Sequence, residues 1–417
     1  MVQLLSHVVP DKRRANKSIP FEIIWVLSIA AKMKQKMSVS DIPFAITDSE
    51  TLSELGYSIW DSERSIAQGL MDESAVRNLI GQYEKAELMD GYNVCVQQHI
   101  LTKMAIKAYI HLVDCTVLEV PLNNGNYEES SVMTKDGSTS RGYKLATLRG
   151  VVGDGGIIEE TRLGTMKEHD LSLCRDMVLS SAMLKEGDIL INDRGFISRE
   201  LLNELKTRRQ VDTYIPLRNN MDAHDQAVAI AKAEGVFHKH PNKKRKSQKI
   251  AFAQGVGDMW RSEDPQNDVP LNACVVWETK DDTYTVFVTT DTEKSAKQII
   301  QTYELRPEIE EDYRQLKDFW KLDHFTSTKI TMIAFHIVCT LLGYLLFQLY
   351  VATESGQQWA GRSLPVIAKN FKSEQPKTII IYTGQYFAVF VFLEFIQLYA
   401  SLAPDVRMEL DEVLSTV

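Results

Sequence analysis

Only five cysteines occur in the 417 residues, Cys95, Cys115, Cys174, Cys274 and Cys339, and no two stand in a C-x-x-C pair. That spacing removes a disulfide framework and a structural zinc site as organising devices. Basic side chains are outnumbered as well, with 47 Lys and Arg against 56 Asp and Glu and a formal net charge of -9. This is the wrong sign for a chain that coats nucleic acid by bulk electrostatics, so any polyanion must be met by local patches. There is no G-x-S-x-G and no paired Cys/His arrangement to supply a protein nucleophile. A P-loop is missing too, so no nucleotide cofactor is expected. No fixed-period repeat is present. The opening MVQLLSHVVPDKRRANK has no small-residue cleavage site after its weakly apolar start, so secretion is not expected and a reducing cytoplasm fits best.

What is there is an ordinary soluble composition, 44% apolar and 25% charged, over a length that favours two or three units sharing a sizeable core. Residues 331–352 carry no Asp, Glu, Lys or Arg and are long enough to span a bilayer, and a second apolar stretch covers 378–402. His336, Thr340 and Gln348 interrupt the first, and Gln385, Glu394 and Gln397 the second. Neither has aromatic belts at both ends, so both read as buried core helices and no membrane partner is expected.

Residues 19–104 are mostly helical in pattern, since FEIIWVLSIAAKMKQK repeats apolar positions at spacings of three and four. Asp48, Ser53, Asp61 and Asp72 stand where helices start. A DNA-binding module and a helical packing domain suit this region equally, because no recognition helix stands out. Around Tyr109 the period changes to a strand buried on both faces, YIHLVDCTVLEV. A polar loop over 123–141 follows, then a strand pair over 142–152 and 156–163 about Gly153-Asp154-Gly155. A helix over 169–184, a short strand DILIN, a helix capped by Ser198 and a strand VDTYIPL complete a mixed α/β layer. That order is the one expected of a ribonuclease-H-like core. Beyond it, 218–292 reads as a β-rich insertion with a short helix, the basic run HKHPNKKRKSQK and two strands, NACVVWE and YTVFVTT, joined at Lys280 to Asp282. Helix resumes over 293–322. The predicted domains are therefore 1–105 helical, 106–217 first part of the core, 218–292 insertion, 293–352 the remainder of the core, and 353–417 a helical C-terminal segment.

Asp114 lies mid-strand in LVDCTV, where an unpaired carboxylate would cost several kcal/mol to bury. Asp193 poses the same problem at the end of ILIND. Two carboxylates on neighbouring strands are what a hard divalent cation requires, although taken singly each is better explained by a buried ion pair, Asp114 with a nearby basic side chain and Asp193 with Arg194. The third element is a stripe. Tyr303, Arg306, Glu310 and Lys317 fall within about 60° of one another at helical spacing, and a phenol, a guanidinium, a carboxylate and an ammonium do not make a packing face. Arg306 is suited to grip a phosphate by two parallel hydrogen bonds and Lys317 to add a point charge. Pro307 follows Arg306 directly, so the helix kinks or begins there.

The arrangement Y-x2-R-x3-E-x6-K at these four positions resembles the signature of the insertion-sequence-four family of DDE transposases, bacterial cut-and-paste enzymes with a ribonuclease-H-like core. In that family a first Asp lies on the first core strand, a second in a D-x-G-[FY] context on the fourth, and the Glu on a late helix. Asp114, Asp193 in INDRGF and Glu310 match these positions, across about residues 110–347. The resemblance implies two magnesium ions, with manganese as a substitute, held by Asp114, Asp193 and Glu310. It further implies cleavage at terminal inverted repeats, a hairpin intermediate, strand transfer into target DNA, a homodimer on double-stranded DNA, and a cytoplasmic, nucleoid-associated location. Relatives stack a Trp of the insertion's last strand on a flipped base. Here that strand has none, and Tyr284 or Trp277 is expected to supply the aromatic face. Lys243, Lys244, Arg245 and Lys246 form the expected phosphate-backbone patch, with Lys144 and Arg194 as weaker candidates. A catalytically inactive, domesticated DNA-binding descendant and a general metal-dependent nuclease are the alternatives.

Overall fold

The computed structural model describes residues 2–13, 19–46, 71–99, 107–135, 137–153, 155–351, 359, 362, 366, 378–383, 386–391, 403–404 and 408. Two compact units emerge, residues 1–12 with 77–348 and residues 13–76 with 349–417. The first 105 residues, expected to form one helical domain, are thus shared between them. Their described parts are helical, with α1 over Val2–Val8, α2 over Phe21–Met33, α3 over Glu73–Ile80 and α4 over Lys85–His99. Asp72 caps α3 by accepting from the Ser74 amide at 3.0 Å, as its position predicts. Asp48, Ser53 and Asp61 lie outside the described residues.

The larger unit is built on one sheet. Strand β1 (Ile110–Val120) is flanked by antiparallel β3 (Ser138–Val152) and parallel β5 (Ile189–Asn192). Beyond β3 lies antiparallel β4 (Gly155–Thr165), and beyond β5 lies parallel β6 (Asp212–Pro216). Three antiparallel strands, then two parallel ones that return through α5 (Asp170–Ser180) and α6 (Arg199–Arg209), in the order β4-β3-β1-β5-β6, make a ribonuclease-H-like core. Ser198 caps α6 by accepting from the Leu201 amide at 3.2 Å.

Two expectations need correction. The polar loop over 123–141 contains β2 (Ser131–Lys135), which pairs with the first residues of β3, helped by the β-branched Val132 and Thr134. The β-rich insertion continues the core sheet. After α7 (Asp222–Glu234), strands β7 (His238–Lys239), β8 (Gln248–Ala253), β9 (Asn272–Glu278) and β10 (Thr283–Thr289) extend the core sheet through antiparallel pairing of β10 with β6. In the C-terminal segment, expected to be helical, β11 (Thr378–Thr383) and β12 (Tyr386–Val391) pair as antiparallel strands. Runs of Ile, Val, Tyr and Phe favour extended backbone over helix, whatever their total hydrophobicity.

After the sheet, the described residues form α8 (Ala296–Tyr303), α9 (Pro307–Asp318) and α10 (Ile330–Val351). Among the described residues α10 alone is long and apolar enough to cross a membrane. Its Ile333, Phe335, Val338, Leu342 and Leu345 are buried, in keeping with a core helix.

His111 on β1 is buried between two carboxylates, its Nδ1 2.8 Å from Glu159 and its Nε2 3.3 Å from Asp188. Burial lowers its pKa, but hydrogen bonding and charge from Asp188 and Glu159 outweigh that and carry it from 6.5 up to about 9. A folded-state pKa raised in this way contributes stability that is complete below about 6.5 and is lost as pH rises through about 9. The loss should approach about 3 kcal/mol. Melting from pH 6 to 10 should show this fall, and His111→Gln should flatten it. An unchanged slope in the variant would take the imidazole out of the account.

Candidate active site

Side chains alternate along a strand, so Asp114 shares a sheet face with Leu112, two residues before it. The register sets Leu112 beside Ile191 of β5, which brings Asp193, just past the end of β5, to the same side. Asp193 caps the short turn Arg194–Phe196, accepting from the Arg194 amide at 2.6 Å. Asp114 accepts from the Cys115 amide at 2.8 Å.

Over this face lie α8 and α9, whose Ile299, Ile300, Ile309 and Tyr313 join a core cluster with Leu112, Ile191 and Tyr214. The chain breaks between them. Pro307 occupies the first position of α9, where its missing amide hydrogen costs nothing and its fixed φ favours the helix. Arg306 is therefore the N-cap, and Glu310 sits in the first turn.

The Arg306 guanidinium joins all three candidate carboxylates. Nη2 lies 3.0 Å from Asp114 Oδ2 and 3.5 Å from Asp193 Oδ2, while Nη1 donates to Glu310 Oε1. One cation serves three acids, leaving a local excess of negative charge. Burial, opposed by Arg306, and then the charges of Asp193 and Glu310 push the Asp114 carboxyl up to about 6. Burial would lower Arg306, but the three carboxylates more than offset it, so the guanidinium is held in its charged form.

Tyr303 belongs to the same cluster although it lies on the preceding helix. Its ring packs on Phe287 with centroids 4.6 Å apart. Burial chiefly, and then the three carboxylates, raise its phenol, so it remains a donor. A cavity of about 410 Å³ opens here, lined by His240, Asn242, Arg245, Phe287, Tyr303 and Arg306 among others.

Other expected residues fall elsewhere. Lys317 reaches the backbone of β1, donating to the Val117 carbonyl at 2.7 Å, and burial lowers its pKa. Lys144 faces the opposite side of β3 from Thr147, the partner of Asp114, and pairs with Asp170 at 2.6 Å. Trp277 and Tyr284 are register partners on β9 and β10, stacked on one another with Lys249 and Lys232 over their rings. Alternation turns them away from the face of Phe287 and Val276, which α8 covers. The aromatic pair beside the carboxylates is instead Phe287 with Tyr303. Alternation in TYTVFVT separates Phe287 from Tyr284, but only the tertiary structure tells which of them lines the cavity beside Arg306. Lys243, Lys244, Arg245 and Lys246 are all exposed on the loop between β7 and β8, and Arg245 pairs with Glu304 at 3.0 Å. Arg194 is exposed next to Asp193.

Among the described residues no three His, Cys, Asp or Glu side chains lie close enough to grip a metal ion directly. The donor set nevertheless suits one. Three carboxylates converge on a single positive centre with negative charge to spare, and hard divalent cations take oxygen ligands.

The ribonuclease-H-like sheet thus sets Asp114 of one strand and Asp193, at the end of the parallel strand beside it, under Glu310 of the covering helix. The family described as the transposase DDE domain matches residues 107–346, and the chain belongs to this family. No curated protein matches the chain. Among solved structures, the piggyBac transposase synaptic complex with hairpin DNA, determined by cryo-electron microscopy, aligns with 97% of this chain and 88% of its own at 12% identity. Its TM-score of 0.41 is too low to place any residue.

Proposed function

We propose that the protein is a cut-and-paste transposase of the insertion-sequence-four kind, which cleaves DNA at terminal inverted repeats and joins the freed ends to target DNA. The observation that carries this reading is the convergence of Asp114, Asp193 and Glu310 on one guanidinium at the edge of a cavity. These three carboxylates would hold divalent cations, magnesium with manganese as substitute. Bound there, two such ions would supply Lewis acidity toward a scissile phosphate and its attacking oxygen. Arg306 is the residue that exchanges partners, since a guanidinium released from the carboxylates can grip a phosphate bidentately. Tyr303 offers a hydroxyl donor beside it, and the Phe287 and Tyr303 rings offer an aromatic face for an unstacked base, in keeping with a hairpin intermediate.

Cutting both ends in concert calls for a homodimer on double-stranded DNA, in the cytoplasm at the nucleoid. The test is metal-dependent nicking of a labelled DNA bearing the element's own inverted repeats, wild type beside Glu310→Ala. Nicking lost in the variant supports the reading. Binding without any cleavage by the wild type would overturn it in favour of a DNA-binding descendant, and cleavage indifferent to the repeats would favour a general nuclease.

The loop between β7 and β8 borders the cavity through Asn242 and Arg245, which makes its exposed lysines candidate phosphate contacts. Each phosphate contact adds about 0.9 to the slope of log affinity against log salt. Replacing Lys243, Lys244 and Lys246 together by Ala should therefore flatten that slope by about 3. A slope unaltered in the triple variant would take the loop off the DNA path.

A further inference from the structure

Resting on the reading of Asp114 and Glu310 as metal-holding residues, we infer that Tyr313 is a positioning residue, whose hydroxyl sets the separation between the strand that carries Asp114 and the helix that carries Glu310. Tyr313 lies three residues after Glu310 on α9 and is 5% exposed. Its hydroxyl lies 2.8 Å from the carbonyl oxygen of Asp114 itself, to which it donates, and 2.6 Å from the Thr147 hydroxyl on β3. Since the tyrosine proton goes to the carbonyl, the threonine hydroxyl is the donor in the second contact.

The consequence is geometric. Asp114 and Thr147 are register partners on β1 and β3, so one phenol closes a three-membered linkage among two strands and the helix above them. Glu310 is in the first turn of α9, where helices are held least by their own hydrogen bonds. Lys317, one turn beyond Tyr313, repeats the device by donating to the Val117 carbonyl. Between these anchors α9 has little freedom to slide or roll over β1. Geometry at such a site matters steeply, since a displacement of about 1 Å costs on the order of a hundredfold in rate.

Tyr313→Phe removes only the oxygen, keeps the ring in the core and leaves each carboxylate in place. Its test uses the full chain with Mn²⁺ alone, titrated by calorimetry, alongside repeat-end cleavage and thermal melting, with Glu310→Ala as control. Positioning predicts a melting temperature close to wild type, a Mn²⁺ midpoint raised several-fold, and a cleavage rate down at least tenfold that excess Mn²⁺ partly restores. A variant that binds Mn²⁺ and cleaves like wild type overturns the inference while leaving the carboxylate reading intact. So does a variant whose activity falls only in proportion to its folded fraction. If wild type binds no Mn²⁺, or Glu310→Ala binds it equally well, the carboxylate reading itself fails and the inference falls with it.

Discussion

Asp114→Asn is expected to lower repeat-end cleavage by more than about a hundredfold while leaving the fold as stable as wild type or more so. Loss of a residue that merely orients a metal ligand costs about 10- to 100-fold, and removing a ligand's charge should exceed that. Stability should move the other way. The Asp114 side chain is only 12% exposed, and burial together with Asp193 and Glu310 raises its carboxyl. The charge is held there at a cost, which a neutral amide of the same shape relieves. Asn also keeps an oxygen to accept from the Cys115 amide. Cleavage and melting measured on the same preparation check both halves. A variant that cuts like wild type would remove Asp114 from the chemistry, and one that melts well below wild type would overturn the stability half.

Arg149→Met should destabilise the larger unit by about 3–5 kcal/mol, the cost of breaking a buried pair from one side. Arg149 is 3% exposed on β3, with Nε 2.5 Å from Asp312 Oδ2 and Nη1 2.9 Å from Glu308 Oε2 on α9. Tyr344 of α10 donates to the other Asp312 oxygen at 3.0 Å. Burial raises the Asp312 carboxyl, and Arg149 holds it back. With the guanidinium gone, that carboxylate stays buried without its cation unless it takes up a proton. The loss should therefore be larger at pH 8 than at pH 5, and denaturant unfolding at the two values measures it. An equal loss at both would assign the effect to packing alone. Gly156 supplies the room for Arg149, because a Cβ there would overlap the guanidinium, so Gly156→Ala should reproduce part of the effect.

Much of this was legible in the chain. Asp114 and Asp193 stood out because carboxylates are rare in runs such as LVDCTV and ILIND, and Glu310 because it shares a helical spacing with Arg306. Pro307 marked the start of α9. Apart from β2, the order of core elements from 110 to 216 followed from period changes and helix-start residues. Less legible was the pairing of β11 with β12, where high hydrophobicity was read as helix although β-branched and aromatic residues fill both strands. The pairing of β10 with β6, which joins the insertion to the core sheet, left no local mark either.

Local chemistry is written in order along the chain, so the sequence by itself determined which residues carry charge into the core, where helices begin and which strands alternate. Partners distant in sequence are chosen by packing. Only the tertiary structure decided that Arg306 lies among three carboxylates, that Lys317 turns to the Val117 carbonyl, that Phe287 rather than Tyr284 faces the cavity, and that Tyr313 reaches Asp114 across 199 residues. The physical reason is that sheet order and strand register select one face of each strand for the site, and alternation then carries every other side chain away from it.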